Sequence, residues 1–81
     1  MPLTLVILRP FIQDKKEIDW VSLECPGGSF LVGPGHRPLV NMLAGESTIT
    51  YAAGGREETI EVPEEGGLVH VVDNQVILFL N

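Results

Sequence analysis

Glycine and proline divide this chain into short segments, and this punctuation is the feature that most restricts its fold. Nine glycines and six prolines fall among 81 residues, several of them as Pro-Gly or Gly-Gly pairs that mark turns. The runs between them are rich in β-branched and other apolar residues, and no run has a convincing helical pattern. The predicted strands are Leu3–Leu8, Ile18–Cys25, Phe30–Val32, Leu39–Leu43, Thr48–Ala52, Arg56–Val62, Leu68–Val72 and Val76–Leu80. Short, evenly spaced strands predict an all-β fold: a flattened antiparallel β-sandwich, with a small barrel as the structural alternative.

Length and charge limit the possible functions. A chain of 81 residues, 44% of them hydrophobic, is sufficient for one domain, 1–81, with its own core. The net charge of −6 argues against binding the phosphate backbone of a nucleic acid. From residue 57 onward the chain has six acidic residues and neither lysine nor arginine. This segment forms either a solvated face or a patch for a basic partner.

The sequence start and the single cysteine indicate the compartment. Cys25 has no partner for an internal disulfide, which is typical of a reducing cytosol. The start lacks a basic leader and a small-residue cleavage site, so no signal peptide is expected. The longest apolar run, Val76–Leu80, is too short to cross a bilayer.

The same run, Val76–Leu80, is apolar on both faces of the predicted strand. A sandwich strand with one solvated face should alternate apolar and polar residues. We therefore expect its second face to be covered, either by closure of the sandwich or by a partner protein.

Groups that could carry out chemistry are few. His36 and His70 are the only histidines, and neither has the helical or paired-cysteine spacing of metal sites. Ser29 and His36 lack a nucleophile motif, and no glycine pair opens a phosphate-binding helix. Cys25, next to a proline, is expected to be a small core residue. We therefore expect no catalytic residue, no metal and no cofactor.

The stretch from Pro26 to Leu43 contains the most informative motif. Its apolar run stops at Gly33, a Pro34-Gly35 turn follows, and Pro38 excludes helix at Arg37. His36 and Arg37 are thereby placed at the tip of a stiff loop between two strands. A stiff loop loses little entropy when it is immobilised against a partner, so the residues alone predict a recognition loop on a β scaffold.

This stretch resembles a known family. The pattern Gly28-x-Phe30-x-x-x-Pro34-Gly35-His36-x-Pro38-Leu39, followed by Gly66-Gly67-Leu68-Val69-His70-Val71, is similar to the amino-terminal β-sandwich of the epsilon subunit of F-type ATP synthases. The likeness extends over nearly the whole chain, with a charged loop expected at Gln13–Glu17. It implies a sandwich of about ten strands in a non-catalytic subunit of the central stalk, or rotor.

The resemblance also implies partners and a location. The partners would be the gamma subunit, the ring of c subunits and the whole ATP synthase complex at the cytoplasmic face of a bacterial membrane, with membrane contact only through the complex. The gamma-facing residues would be His36, Arg37 and Asn41, and the ring-facing residues would be Gly28, Ser29 and Phe30. The subunit would couple ion translocation to ATP synthesis or hydrolysis.

Three departures from the family pattern matter. Ser29 stands where the family usually has a glutamate, so a carboxylate toward the ring is lost or comes from Glu24 or Glu65. Leu31 stands where the family usually has glycine. The family continues into two carboxy-terminal helices beyond the point matching Asn81, so their inhibitory and ATP-binding roles are not carried over; we expect a natural short form.

Two other functions are compatible with the residues. A free-standing β-sandwich could use the same fold to bind an unrelated protein, since a fold does not fix a function. A gene position beside the catalytic beta subunit would favour the rotor over this alternative. A small enzyme would need a concave pocket with a perturbed titratable group near His36 or His70.

Overall fold

The computed structural model describes residues 2–81, and this part of the chain folds into nine β-strands without a helix. The strands are β1 (Leu3–Arg9), β2 (Ile12–Ile18), β3 (Trp20–Cys25), β4 (Gly28–Val32), β5 (Leu39–Leu43), β6 (Thr48–Ala53), β7 (Arg56–Glu61), β8 (Gly67–Val72) and β9 (Gln75–Leu80). Gly54-Gly55 closes the β6–β7 hairpin and Asp73-Asn74 closes the β8–β9 hairpin. All four turn residues have positive φ angles, between 49° and 82°, as two-residue hairpin turns require.

The strands form two sheets that pack face to face. One sheet has the order β2-β1-β9-β8-β5 and the other has the order β4-β3-β6-β7. Paired strands in residues 2–81 are antiparallel except β1 and β9, which run parallel from the Thr4–Gln75 pair to the Leu8–Phe79 pair. The predicted all-β sandwich is confirmed, with nine described strands instead of about ten and with a parallel pair inside the larger sheet.

The core lies between the sheets and consists of alternate strand residues. In β3, Val21, Leu23 and Cys25 are buried while Ser22 and Glu24 between them are half-buried, because successive side chains of a strand point to opposite faces. The largest fully buried side chains are Leu3, Leu5, Leu23, Ile49, Leu78, Val21, Val32, Val69, Val71 and Val76. Burying each such side chain stabilises the fold by about 1.5–3 kcal/mol.

The predicted charged loop at Gln13–Glu17 is wrong, because these residues form most of strand β2. Its ladder with β1 runs from the Leu3–Ile18 pair to the Arg9–Ile12 pair. The charged side chains are tolerated because β2 is an edge strand with much of its surface in solvent. The predicted strand Ile18–Cys25 is likewise divided, since the chain passes from one sheet to the other at Asp19.

The position of β9 in the larger sheet explains why one of its two faces is apolar. It lies between β1 and β8, and its inward residues Val76, Leu78 and Leu80 are buried in the core. On its other face Ile77 is half-buried and Phe79 remains 43% exposed. Closure of the sandwich therefore does not cover this second face.

Candidate protein-binding surfaces

The outward side of the five-stranded sheet carries an extended apolar surface. Leu8, Phe79, Leu68 and Met42 are consecutive partners across four neighbouring strands. Met42 is 60% exposed and Leu68 is 48% exposed, and Val40 on the same strand as Met42 is also exposed. We name the surface formed by Val40, Met42, Leu68, Ile77 and Phe79 the outer apolar face. Contiguous exposed apolar side chains of this kind are typical of protein-binding surfaces.

His70 lies within the outer apolar face. It is half-buried and stands in register between Val40 on β5 and Ile77 on β9. An imidazole between two apolar neighbours supplies one polar group to an otherwise hydrophobic surface. No cluster of three or more metal-binding side chains occurs in residues 2–81.

An open groove borders one end of this face. It has a volume of about 570 Å³ and is lined by Leu8, Pro10, Met42, Leu68 and Phe79 together with the Gly66-Gly67 backbone and the last residues of the chain. Beyond it Phe11, at the tip of the β1–β2 hairpin, is 98% exposed. The apolar surface is therefore concave at this end and is not uniformly flat.

The loop of residues 33–38 is fixed by a hydrogen bond from a distant turn. The backbone N–H of Gly35 donates to Oδ1 of Asn74 at 2.7 Å. The carbonyl of Asn74 in turn accepts a hydrogen bond from the N–H of Thr4 at 2.9 Å. Asn74 thus connects the loop to the first strand, and the loop is positioned against the rigid end of the larger sheet.

His36 and Arg37, the predicted tip residues, both lie on this loop. The N–H of His36 donates to the Gly33 carbonyl at 3.3 Å, which closes the turn. Its ring Nδ1 donates to the carbonyl of Arg37 at 2.7 Å, so Nε2 is the nitrogen left for another group. His36 is half-buried, whereas Arg37 is exposed.

Asn41, the third residue predicted for the same interface, is engaged within its own strand. It lies on β5, and its Oδ1 accepts a hydrogen bond from the N–H of Met42 at 2.7 Å. Met42 carries one of the side chains of the outer apolar face. Asn41 therefore lies at the free edge of β5, in register with buried Val69 and on the side of the sheet opposite to the outer apolar face, and no hydrogen bond joins it to the His36 loop within residues 2–81.

Ser29, predicted to face a second partner, is paired with a carboxylate. Ser29 and Glu24 are directly opposite in the β3–β4 ladder, and the Ser29 hydroxyl donates to Oε2 of Glu24 at 2.6 Å. Gly28 and Ser29 are exposed, whereas Phe30 is half-buried and packs against the core. The Glu24 carboxylate, which belongs to the neighbouring strand β3, therefore places a negative charge beside Ser29.

The His36 loop and the Ser29 region lie at opposite ends of the sandwich. The loop precedes β5, while the residue after β5, Ala44, donates its N–H to the carbonyl of Glu24 at 2.8 Å. A five-residue strand spans roughly 17 Å. Two separate surfaces, about one strand length apart, are therefore available to two partners.

Apart from Leu31 and Trp20, the outward side of the four-stranded sheet is polar and acidic. Glu57 and Glu61 on β7 lie on the face opposite to buried Ile60, and Oγ1 of Thr48 donates to the Glu61 carboxylate at 3.2 Å. The two faces of the sandwich thus differ sharply in chemistry. A partner protein that binds mainly through apolar contacts would therefore bind the outward side of the five-stranded sheet.

The remaining nucleophile, Cys25, is buried. Burial and the nearby Glu24 carboxylate raise the pKa of the Cys25 thiol. The raised pKa disfavours the reactive thiolate at neutral pH. The cysteine therefore fits the packing role expected from the sequence.

The fold and its surfaces define a small two-sheet β-sandwich with a large exposed apolar face. The same fold occurs in a chain of the Euglena gracilis mitochondrial ATP synthase, solved by cryo-EM as the OSCP/F1/c-ring in rotational state 1, with a TM-score of 0.87 and 20% sequence identity. The likeness extends over 98% of the present chain and 50% of that one, so the present chain spans half its length. At this identity the comparison establishes the fold.

No family model matches the sequence, and no curated protein matches it. Within residues 2–81 there is also no helix long and apolar enough to cross a membrane.

Proposed function

We propose that this chain is a non-catalytic rotor subunit of an F-type ATP synthase, similar to the epsilon subunit, which links the gamma subunit to the c ring. The observation that carries the proposal is the likeness of almost the entire chain to a chain from an ATP synthase F1/c-ring assembly. The loop motif from Gly28 to Leu39 supports the same assignment independently of the fold. Its site of action would be the cytoplasmic face of a bacterial membrane, through the complex.

The gamma subunit would contact the end of the sandwich that carries the His36 loop. His36 offers Nε2 and Arg37 offers an exposed guanidinium, while the hydrogen bond to Asn74 holds their backbone in place. The outer apolar face would extend this contact with hydrophobic area, and Asn41 would join the contact from the free edge of β5. Apolar surface supplies affinity, and the polar groups at its rim fix the orientation.

The c ring would contact the opposite end, at Gly28, Ser29 and Phe30. The carboxylate that the family usually places at position 29 is replaced here by the pair of Ser29 and Glu24. Glu24 would then supply the charge that meets the polar loops of the ring. The serine hydroxyl restrains this carboxylate, which lowers the entropy lost on binding.

The mechanism in this proposal is transmission of torque by a stiff body. The two contact regions are connected by continuous hydrogen-bonded sheet and by a core of fully buried side chains. Close-packed interiors have low compressibility. Rotation of the ring would therefore reach gamma without slipping, and no bond is made or broken by the subunit.

Binding to the gamma subunit of the same organism tests the gamma contact. Replacing His36 and Arg37 together by Ala should leave the melting temperature unchanged and weaken gamma binding about five- to a hundredfold, which corresponds to roughly 1–3 kcal/mol. The matched control is Arg56→Ala with Glu57→Ala, a pair on the opposite sheet. Absence of gamma binding by the parent chain at micromolar concentration would overturn the proposal.

Membrane coupling tests the proposed role in the complex. Removing the chain from membranes that contain the enzyme should reduce ATP-driven ion pumping while hydrolysis continues. Restoring it with Glu24→Gln should recover pumping less well than restoring it with Glu57→Gln, because only Glu24 lies beside Ser29. Equal recovery by both variants would show that the Ser29 end does not contact the ring through Glu24.

A further inference from the structure

The two sheets have four edge strands, namely β2, β5, β4 and β7. An edge strand exposes backbone N–H and C=O groups that can pair with a further strand, and proteins usually block such edges with charge or by local hydrogen bonds. The four edges of this sandwich differ in whether they are blocked.

Two edges are blocked by charge. Strand β2 contains the consecutive charged residues Asp14, Lys15, Lys16 and Glu17, so this edge carries charged side chains over most of its length. Strand β7 carries Glu57, Glu58 and Glu61. Like charges directly opposite each other are destabilising.

The β5 edge is blocked by hydrogen bonds. The N–H of Met42 is already bonded to the side chain of Asn41, and the N–H of Ala44 is bonded to the carbonyl of Glu24. Two outward donors at this edge are therefore unavailable to an added strand.

Strand β4 has none of these features. Its residues Gly28–Val32 include no charged side chain, and Leu31 at its free edge is 68% exposed. Within residues 2–81 no turn or loop backbone group bonds to this strand, apart from its ladder with β3. The β4 edge thus has no charged side chain of its own and is open, and the Glu24 carboxylate bonded to Ser29 belongs to the neighbouring strand β3.

We propose that the β4 edge pairs antiparallel with the β4 edge of a second copy of this chain about a twofold axis, which joins two four-stranded sheets into one. With Leu31 opposite its own counterpart, two copies of β4 would pair over residues 29–33, a stretch without a charged side chain, and each would present an apolar side chain opposite Leu31. The pairing places Leu31 opposite its own counterpart on the outward side of the joined sheet.

This self-association goes beyond the proposed rotor function and does not depend on it, and because Gly28, Ser29 and Phe30 belong to β4, the dimer and the proposed c-ring contact would exclude each other. The net charge of −6 on each copy opposes the approach of two copies, and salt screens that repulsion. The dimer should therefore become tighter as salt increases, which is the opposite of an interface held by ion pairs.

Sedimentation equilibrium of the full chain tests the proposal. Over about three decades of concentration into the high micromolar range, the parent should convert from monomer to dimer, and raising salt from about 0.05 M to about 0.5 M should favour the dimer. Leu31→Lys and Leu31→Glu should each weaken association at least about tenfold by placing like charges opposite each other. An equimolar mixture of the two variants should associate again, because opposite charges then face each other.

The matched control is Val40→Lys, since Val40 is 69% exposed and lies on the outer apolar face. This variant should dimerise like the parent. Loss of the dimer in Val40→Lys but not in Leu31→Lys would overturn the proposal and assign association to the outer apolar face. A parent that stays monomeric at every concentration and salt level would also overturn it.

Cross-linking gives a readout that does not depend on affinity alone. Residues directly opposite in an antiparallel pair have Cα atoms about 4.5–5.5 Å apart, a separation that a disulfide can bridge. Leu31→Cys should form a covalent dimer with diamide as the oxidant, whereas the parent should not because Cys25 is buried. Equally fast cross-linking of Val40→Cys would contradict the assignment of the contact to β4.

Discussion

Lys16 and Tyr51 join the two sheets at one side of the sandwich. Nζ of Lys16, on the edge strand β2, donates a hydrogen bond to the hydroxyl of Tyr51 on β6 at 3.1 Å. The same nitrogen lies 5.3 Å from the centre of the tyrosine ring, within the range of a cation–π interaction. A charged side chain on an edge strand therefore helps to hold the sheets together.

The pair predicts a change of stability at alkaline pH. The hydrogen bond to Tyr51 raises the pKa of Lys16 above its usual 10.5. Because the folded state holds this proton more tightly, the stabilisation is complete below the unfolded pKa and is lost as pH rises through the folded pKa. Lys16→Met should cost about 0.5 kcal/mol at neutral pH after solvent screening and progressively less above the usual pKa. Urea unfolding across this pH range measures the difference.

Tyr51→Phe is the control for this prediction. It keeps the ring and removes the hydroxyl that accepts the hydrogen bond from Lys16. In that background Lys16→Met should cost less than in the parent, because the hydrogen bond is already absent. Equal costs in the two backgrounds would mean that Lys16 stabilises the fold in another way.

Strand β3 predicts a ranking of core substitutions. Leu23 is fully buried, whereas Trp20 is only half-buried and faces outward in register with Ala52. Leu23→Ala should therefore cost about 2–5 kcal/mol, Trp20→Ala about 1–2 kcal/mol, and His36→Ala about 0.5 kcal/mol. Denaturant midpoints of the three variants, with unchanged slopes, test this order. A larger loss for Trp20→Ala than for Leu23→Ala would contradict the assignment of the inward face.

Close backbone packing between the β5–β6 and β7–β8 connections predicts an intolerant glycine. A Cβ added at Gly45 would collide with the backbone carbonyl of Glu64, while a Cβ at Gly27 would meet nothing within 4 Å. Gly45→Ala should destabilise the fold by about 3 kcal/mol or more, because a backbone segment has to shift. Gly27→Ala should stay within about 0.5 kcal/mol of the parent. Thermal melts of the two variants should differ clearly, and matching melts would refute the close approach.

The hydrogen bond inside β5 predicts an effect on association. Asn41→Val removes the acceptor for the N–H of Met42 and opens this edge to a further strand. We expect little change in the melting temperature but increased light scattering with concentration, measured in a Leu31→Lys background so that β4 does not contribute. Asn41→Asp keeps an acceptor oxygen and should behave like the background. Equal scattering by both variants would show that this hydrogen bond does not protect the edge.

The sequence predicts the fold class because turn residues and apolar runs are local signals. The hairpin turns at Gly54-Gly55 and Asp73-Asn74 fall in the gaps between the predicted strands. The strand β2 was missed because its consecutive charges resemble a loop, and its pairing with β1 decides its conformation instead. The run Val76–Leu80, apolar on both faces, did indicate that both faces of β9 would be in contact with other apolar groups. Its parallel pairing with β1 was not predictable, because it depends on contacts between the two ends of the chain.

The candidate surfaces were only partly visible in the sequence. The loop with His36 and Arg37 follows from the spacing of Gly33, Pro34 and Pro38. Its attachment to Asn74 was not predictable, because a side-chain hydrogen bond across 39 positions leaves no local pattern. The outer apolar face was predicted only in its β9 part, from the run Val76–Leu80; its residues on β5 and β8 were missed, because the order of these strands becomes known only from the sheet.

The parallel pairing of β1 with β9 has a mechanical consequence. A pull applied between the start of β1 and the end of β9 would slide the two strands past each other. It would load all five residue pairs, from Thr4–Gln75 to Leu8–Phe79, at the same time. The antiparallel hairpin of β8 and β9, pulled at its open end, would break its bonds one after another. This domain should therefore resist a force that shears β1 against β9 far better than a force that opens the β8–β9 hairpin from its end.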